Sequence, residues 1–167
     1  MRKMTLVALI CLLSVSYLSA QENSKSTYYL IRHAEKDRSD ATVKNPELSK
    51  KGQKRAVKWS EILNKFGINE VYSTDYKRTL NTVKPTAKAN KITVKTYHPF
   101  KLDYEQFLVD TKGKNVLIAG HSNTTASFAN KLIGKEVYPE MSDDNNANLY
   151  IVTIDGDTIS HVMIVMQ

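Results

Sequence analysis

The sequence predicts an α/β layer fold, a three-layer sandwich in which helices flank a mostly parallel, mixed central sheet. Two observations carry this. Short apolar, β-rich runs alternate along the chain with longer runs of helical period, the pattern left by a parallel sheet and its covering helices. The chain then closes with two consecutive β-rich runs joined by a turn signal, a C-terminal β-hairpin that makes the sheet mixed. At 167 residues, 41% hydrophobic and 25% charged, the chain can bury a proper core and does not have the composition of a disordered protein.

The first twenty residues stand apart. In MRKMTLVALICLLSVSYLSA, Arg2 and Lys3 precede an apolar stretch from Leu6 to Leu13, and small residues lead to Ala20. This is the layout of a secretory signal peptide. The apolar run is broken by Ser14 and Ser16 and falls short of the ~20 residues a spanning helix needs. The expectation is export, periplasmic or secreted, with cleavage near Ala20 and no stable membrane association afterwards; an uncleaved anchor is the alternative. Cys11 follows Ile10 where a lipidation site would carry a small residue, so lipidation is not expected. Cleavage removes two basic residues and no acid, lowering the net charge from +7 to +5, and removes the only cysteine. A disulfide framework and a cysteine nucleophile are therefore excluded from residues 21–167.

Residues 21–26 (QENSKS) form a polar leader, and one domain is expected over 27–167. TYYLIRH (27–33) reads as a buried strand. Residues 34–51 are polar and contain Asn45-Pro46, hence a surface loop. The first helix spans 52–66, with Ala56, Val57, Trp59, Ile62, Leu63 and Phe66 as its apolar side. Lys50, Lys51, Lys54, Lys58 and Lys65 read as its solvated face; no nucleic-acid-binding motif stands beside them, and no nucleic-acid partner is expected. INEVYST (68–74) is a second strand and YKRTLNTVKPTAKAN (76–90) a second helix, kinked or restarted near Pro85. ITVKTY (92–97) is a third strand, 102–112 a third helix, and NVLIAGH (115–121) a fourth strand. NTTASFANKLIG (123–134) is a fourth helix closed by Gly134. NLYIVTIDGDTISHVMIV (148–165) is the hairpin, turning at Asp155-Gly156-Asp157.

The unusual residues collect at strand ends. Arg32-His33 ends the first strand, His121 follows Gly120 at the end of the fourth, and Arg78 lies just beyond the second. In open α/β sheets the ligand crevice lies outside the carboxyl ends of the strands, so two imidazoles and two guanidiniums are delivered to one rim. Singly, an Arg-His pair or a histidine after a strand is more often an ordinary loop feature; the joint placement points to a site. With Ser73, Thr74 or Asp75 as the cap, Arg78 falls in the first turn of its helix. A positive charge there opposes the helix dipole by about 0.3–1 kcal/mol unless an anion sits beside it. Ser122-Asn123-Thr124 opens a second helix directly after His121, another start suited to an anion, and Gly120 would let the backbone approach a ligand. Together these groups describe a pocket for a dianion such as a phosphoryl group. A metal competes for the two histidines, but the arginines would repel a divalent cation, and no cysteine or paired carboxylate stands at ligand spacing. Neither metal nor cofactor is expected, and His98 and His161, without companions, read as structural.

Four segments resemble the histidine phosphatase (phosphoglycerate mutase-like) superfamily, small phosphatase branch. Arg32-His33-Ala34-Glu35 is similar to its R-H-G-E signature, and Leu48-Ser49 with Gly52 and Ala56 to its L-T-x-x-G-x-x-x-A segment. Ser73 to Thr79 with Thr82 resembles S-S-P-L-x-R-A-x-x-T, and Gly120-His121-Ser122 the second histidine motif. The resemblance implies in-line attack by His33, a phosphohistidine, and hydrolysis by water, without metal or cofactor. Arg32, Arg78 and His121 would hold the non-bridging oxygens and stabilise the transition state, with Ser39 and Ser122 as further substrate-binding positions. Ala34 stands where glycine is usual, and Ser39 where many members carry a phosphate-supporting asparagine. The resemblance makes Asp103, or Glu105, the candidate general acid; both are equally readable as solvent-facing helix residues.

The chain is too short for the insertions that dress mutase active sites, which favours a compact phosphatase acting on a phosphorylated small molecule. Two other readings stay open. One is a phosphohistidine protein phosphatase, against which export argues, and the other a non-catalytic phosphate-ligand binding protein on the same fold. Substrate choice is expected from residues 34–50 and 95–112. Residues 142–148 (SDDNNAN) read either as a loop over the site or as a surface turn.

Overall fold

The computed structural model describes residues 25–166. The expected signal peptide and Cys11 lie outside these residues. One six-stranded sheet contains β1 (Ser26–Arg32), β2 (Glu70–Thr74), β3 (Val94–Tyr97), β4 (Asn115–Gly120), β5 (Asn148–Asp155) and β6 (Thr158–Val165), in the order β3-β2-β4-β1-β5-β6. The first four run parallel; β5 pairs antiparallel with β1, and β6 with β5. Every residue of β1 is buried, as befits a central strand covered on both faces. β1 starts one residue earlier than expected, at Ser26, whose hydroxyl accepts a hydrogen bond from the Gly113 N–H.

Successive side chains of a strand point to opposite faces, and the core divides accordingly. Tyr29, Ile31, Val71, Leu117 and Leu149 pack under α1 (Lys50–Leu63) and α2 (Lys77–Ala89), against Trp59, Leu63 and Val83. Tyr28, Leu30, Val116, Ile118 and Tyr150 pack on the other face against Phe107 of α3 (Tyr104–Asp110) and Phe128 and Leu132 of α4 (Ser122–Ile133). This is the three-layer sandwich with a mixed sheet and terminal hairpin that the alternating pattern predicts. The hairpin turns at Gly156, whose φ is +57°, and α4 ends at Gly134, φ +78°.

Three local expectations are corrected. α1 starts at Lys50, capped by Ser49, and its last turn tightens into a 3₁₀ segment, Asn64–Phe66. α2 runs through Pro85 without restarting, because Val83, Thr86 and Ala87 around it are all buried and tertiary packing outweighs the lost N–H. Its cap is Tyr76, with no side-chain capping bond, in place of Ser73, Thr74 or Asp75; Ser73 and Thr74 belong to β2. The Lys77 N–H is instead met by Asn45 Oδ1, at 3.1 Å.

The second motif proves to be architecture. The Gly52 N–H donates to Ser49 Oγ at 3.1 Å, and a Cβ on Gly52 would lie 2.1 Å from the Glu35 carbonyl oxygen. α1 is thereby pressed against the chain leaving β1, with Ala34, Leu48 and Ala56 as a small buried cluster between them.

Candidate active site

The parallel strands deliver their ends to one cavity of about 900 Å³, whose lining includes Arg32, His33, Thr74, Arg78, His121 and Ser122. The sheet order explains why. β4 lies between β1 and β2, so their carboxyl ends stand side by side, and the His33 N–H donates to the Gly120 carbonyl at 3.0 Å. The two imidazole rings lie 5.6 Å apart, edge to face.

His33 is 3% exposed. Its Nδ1 lies 2.7 Å from the Ala34 carbonyl oxygen. A carbonyl only accepts, so Nδ1 carries the proton and Nε2 keeps its lone pair. Burial, and then the charges of Arg32 and Arg78 and the His121 ring, push the His33 pKa down to about 3, despite the opposing pull of the carbonyl bond. The ring is neutral at pH 7. Around it the backbone is held on both sides, since the Ala34 N–H donates to Thr82 Oγ1 at 2.8 Å and Asn146 Nδ2 donates to the His33 carbonyl at 2.8 Å.

His121 has the opposite tautomer. Arg78 Nη2 approaches its Nδ1 at 3.4 Å, and a guanidinium only donates. Nε2 therefore carries the proton and donates to Thr74 Oγ1 at 2.9 Å. The relay continues from Thr74 Oγ1 to Thr79 Oγ1 at 3.0 Å and on to the Thr74 carbonyl at 2.7 Å. Burial, followed by Arg78, Arg32 and Lys36, pushes the His121 pKa down to about 4.

Arg32 is 2% exposed. Its Nη1 donates to the carbonyls of Ser142 and Asn145 at 2.9 and 3.1 Å, and Nη2 to Asp143 Oδ1 at 2.6 Å. Arg78 is the second residue of α2 and lies 4.5 Å from the Tyr76 ring centroid. Arg32 Nε and Arg78 Nε and Nη1 are buried without a hydrogen-bond partner. Buried donors of charged groups are costly to leave unpaired, and three of them at one cavity suit an oxyanion. Among the described residues, no three or more His, Cys, Asp or Glu side chains are grouped to hold a metal ion, and no helix is long and apolar enough to cross a membrane.

The other expected positions divide. Ser122 lines the cavity. Ser39 does not; it is exposed, in a turn closed by Asp37 Oδ1 on its N–H at 2.9 Å. Asp103 is also outside the cavity. It caps α3, accepting from the Gln106 N–H at 3.0 Å, and Glu105 is exposed in the same turn. Gly120 serves packing, since a Cβ there would meet the Thr124 and Thr125 hydroxyls at 3.0 Å. His98, read as structural, stands in the cavity wall with Pro99 and Phe100, whereas His161 pairs with the Tyr138 hydroxyl on the surface at 2.9 Å.

Sequence reasoning did not single out Asp143 or Asn146. The 142–148 segment is a strap against the site, as its contacts with Arg32 and His33 show. Asp143 also accepts from Arg38 Nη2 at 2.6 Å. The Arg38 and Arg32 hydrogen bonds hold its carboxyl down at about 2, against partial desolvation. The only signal in the sequence was a run of side-chain acceptors and amides before β5.

The fold and this rim define a class: an α/β protein whose two histidines and two arginines converge on one anion-suited cavity. Residues 28–101 match the family model described as histidine phosphatase superfamily (branch 1), which bears out the resemblance carried by the motifs. No curated protein sequence matches the chain. Among solved structures it is similar to the protein histidine phosphatase SixA complexed with tungstate, with 15% identity, TM-score 0.64, and 83% of this chain and 96% of that one covered. It is also similar to a mycobacterial glucosyl-3-phosphoglycerate phosphatase, with 15% identity, TM-score 0.60, and 85% and 98% covered. The complex of that phosphatase with inorganic phosphate gives 16% identity, TM-score 0.57, and 84% and 96%. At these identities the likeness is one of fold.

Proposed function

We propose that the protein is an exported phosphatase that hydrolyses phosphomonoesters through a phosphohistidine on His33. The observation that carries this reading is the His33 tautomer. Its Nδ1–H is committed to the Ala34 carbonyl, which leaves the Nε2 lone pair as the nucleophile in a cavity shared with Arg32, Arg78 and His121. The similar folds that hold tungstate and inorganic phosphate support an oxyanion there.

In the first step the Nε2 lone pair forms the N–P bond as the P–O ester bond breaks. The ester oxygen leaves with the electron pair and takes a proton. Unpaired donors of Arg32 and Arg78 neutralise the charge on the equatorial oxygens, where electrostatic stabilisation acts most strongly. Water then attacks phosphorus, the N–P bond breaks, and inorganic phosphate leaves with neutral His33 restored. Asp75 and Glu140 are the carboxylates at the cavity apart from Asp143. Both are exposed, so the proton for the leaving oxygen comes from the solvated rim and esters with good leaving groups react fastest.

The test is rapid quenching with a labelled phosphomonoester, without added metal, followed by mass spectrometry. The expected result is an acid-labile phosphate on His33, and loss of activity by at least about 10³-fold in His33→Ala. Turnover that survives the substitution overturns the nucleophile. Oxyanion binding with no turnover across a broad ester panel makes the protein a binding protein.

A further inference from the structure

The cavity is chemically two-sided. Its floor holds the histidines and arginines, while one wall is aromatic: Tyr76 at the start of α2, and His98 and Phe100 in the loop after β3. Phe100 is 75% exposed and Tyr76 42% exposed. The Tyr76 ring meets the His121 ring edge to face at 5.0 Å and covers the Arg78 guanidinium, so it stands directly beside the groups that would hold a phosphoryl group. The His98 and Phe100 rings lie 6.1 Å apart, and the Phe100 N–H donates to His98 Nδ1 at 3.3 Å, which stiffens the loop. At 75% exposure the Phe100 ring packs little against the fold; rings prefer offset or edge contacts with other rings.

Among the residues that line the cavity the cations are Arg32, Lys36 and Arg78; Arg38, with Lys36 and Asp143, lines an adjoining hollow that His33 also borders. A volume of about 900 Å³ is within the usual range for a small-molecule site.

Building on the phosphatase reading, we propose that Tyr76, His98 and Phe100 form the leaving-group subsite, and that it selects small phosphomonoesters whose alcohol is a planar aromatic ring. Aryl oxides are good leaving groups, which fits a cavity whose only other carboxylates are exposed. Phe100 is then a specificity residue and takes no part in bond making.

The experiment measures binding, which is independent of turnover. Affinities of phenylphosphonate and methylphosphonate, which present one charged headgroup with and without a ring, are compared by calorimetry in the wild type and in Phe100→Ala and Phe100→Tyr. We expect phenylphosphonate to bind at least about tenfold tighter to the wild type. The ratio falls to about two or less in Phe100→Ala and is kept in Phe100→Tyr, with methylphosphonate affinity within twofold throughout. A wild-type ratio near one, or a ratio unchanged in Phe100→Ala, overturns the subsite. If the ratio behaves as expected but no aryl ester is hydrolysed, the phosphatase reading fails and the subsite stands; if esters are hydrolysed without regard to the ring, the reverse holds.

Discussion

The chemistry of single atoms decides what the two histidines can do. They are the same residue type, 5.6 Å apart, yet opposite partners hold opposite tautomers. The Ala34 carbonyl keeps the proton of His33 on Nδ1; Arg78 on one side and Thr74 on the other keep that of His121 on Nε2. Ring-nitrogen NMR of the protein alone at pH 6 should show both rings neutral, His33 in the Nδ1–H form and His121 in the Nε2–H form. An imidazolium signal from His33 at pH 6, or an Nε2–H tautomer on His33, contradicts the proposal of its Nε2 as nucleophile. Asp143 shows the limit of reading residues singly. It pairs with buried Arg32 and exposed Arg38 across more than a hundred residues of chain.

At the scale of elements, the contact between α1 and the β1 exit bears on the position of His33. Gly52→Ala would ordinarily favour a helix by roughly 1 kcal/mol. Here the new Cβ would sit 2.1 Å from a backbone oxygen, which cannot swing aside as a side chain can. Overpacking of this kind costs about 1–3 kcal/mol, so the clash wins. The variant should show a lower urea midpoint, followed by fluorescence of the buried Trp59. Since Glu35 is two residues from His33, kcat/KM should fall as well. An unchanged midpoint would mean that α1 moves freely relative to that loop.

For the whole molecule, the site is a source of acid sensitivity. The folded pKa values of His33 and His121, about 3 and about 4, lie below the ordinary value of 6.5. Between those limits the unfolded chain binds protons that the native state does not, so stability falls as pH drops below about 6.5. The loss by pH 5 is about 1–2 kcal/mol for each histidine. Depressed carboxylates act in a lower window. The contribution of Asp143 is present above its unfolded value of 3.8 and lost as pH falls through about 2. Melting curves should therefore decline between pH 7 and 5 in the wild type and less steeply in His33→Gln. Tungstate or phosphate at a hundredfold over its dissociation constant should add about 2.7 kcal/mol of stability. An equal slope in the variant would remove His33 as the cause.

What the sequence determined by itself was whatever local pattern controls. Alternating β-rich and helical runs set the layers, Gly134 and the Asp155-Gly156-Asp157 turn set two ends, and strand-terminal placement brought Arg32, His33, Arg78 and His121 to one rim, because parallel strands in one sheet must end together. Tertiary structure decided everything that depends on partners distant in the chain. It left Asp103 at the cap of α3 and Ser39 in an exposed turn, each in a local bond two or three residues long, outside the cavity to which the resemblance admitted both. It carried α2 through Pro85, because burial of its neighbours outweighs a single missing N–H. It also folded residues 142–146 onto Arg32 and His33 and turned His98 and Phe100 toward the cavity. Loop conformations of this kind follow no period, and the partners that satisfy a buried guanidinium or fix a tautomer are known only once the chain has closed around them.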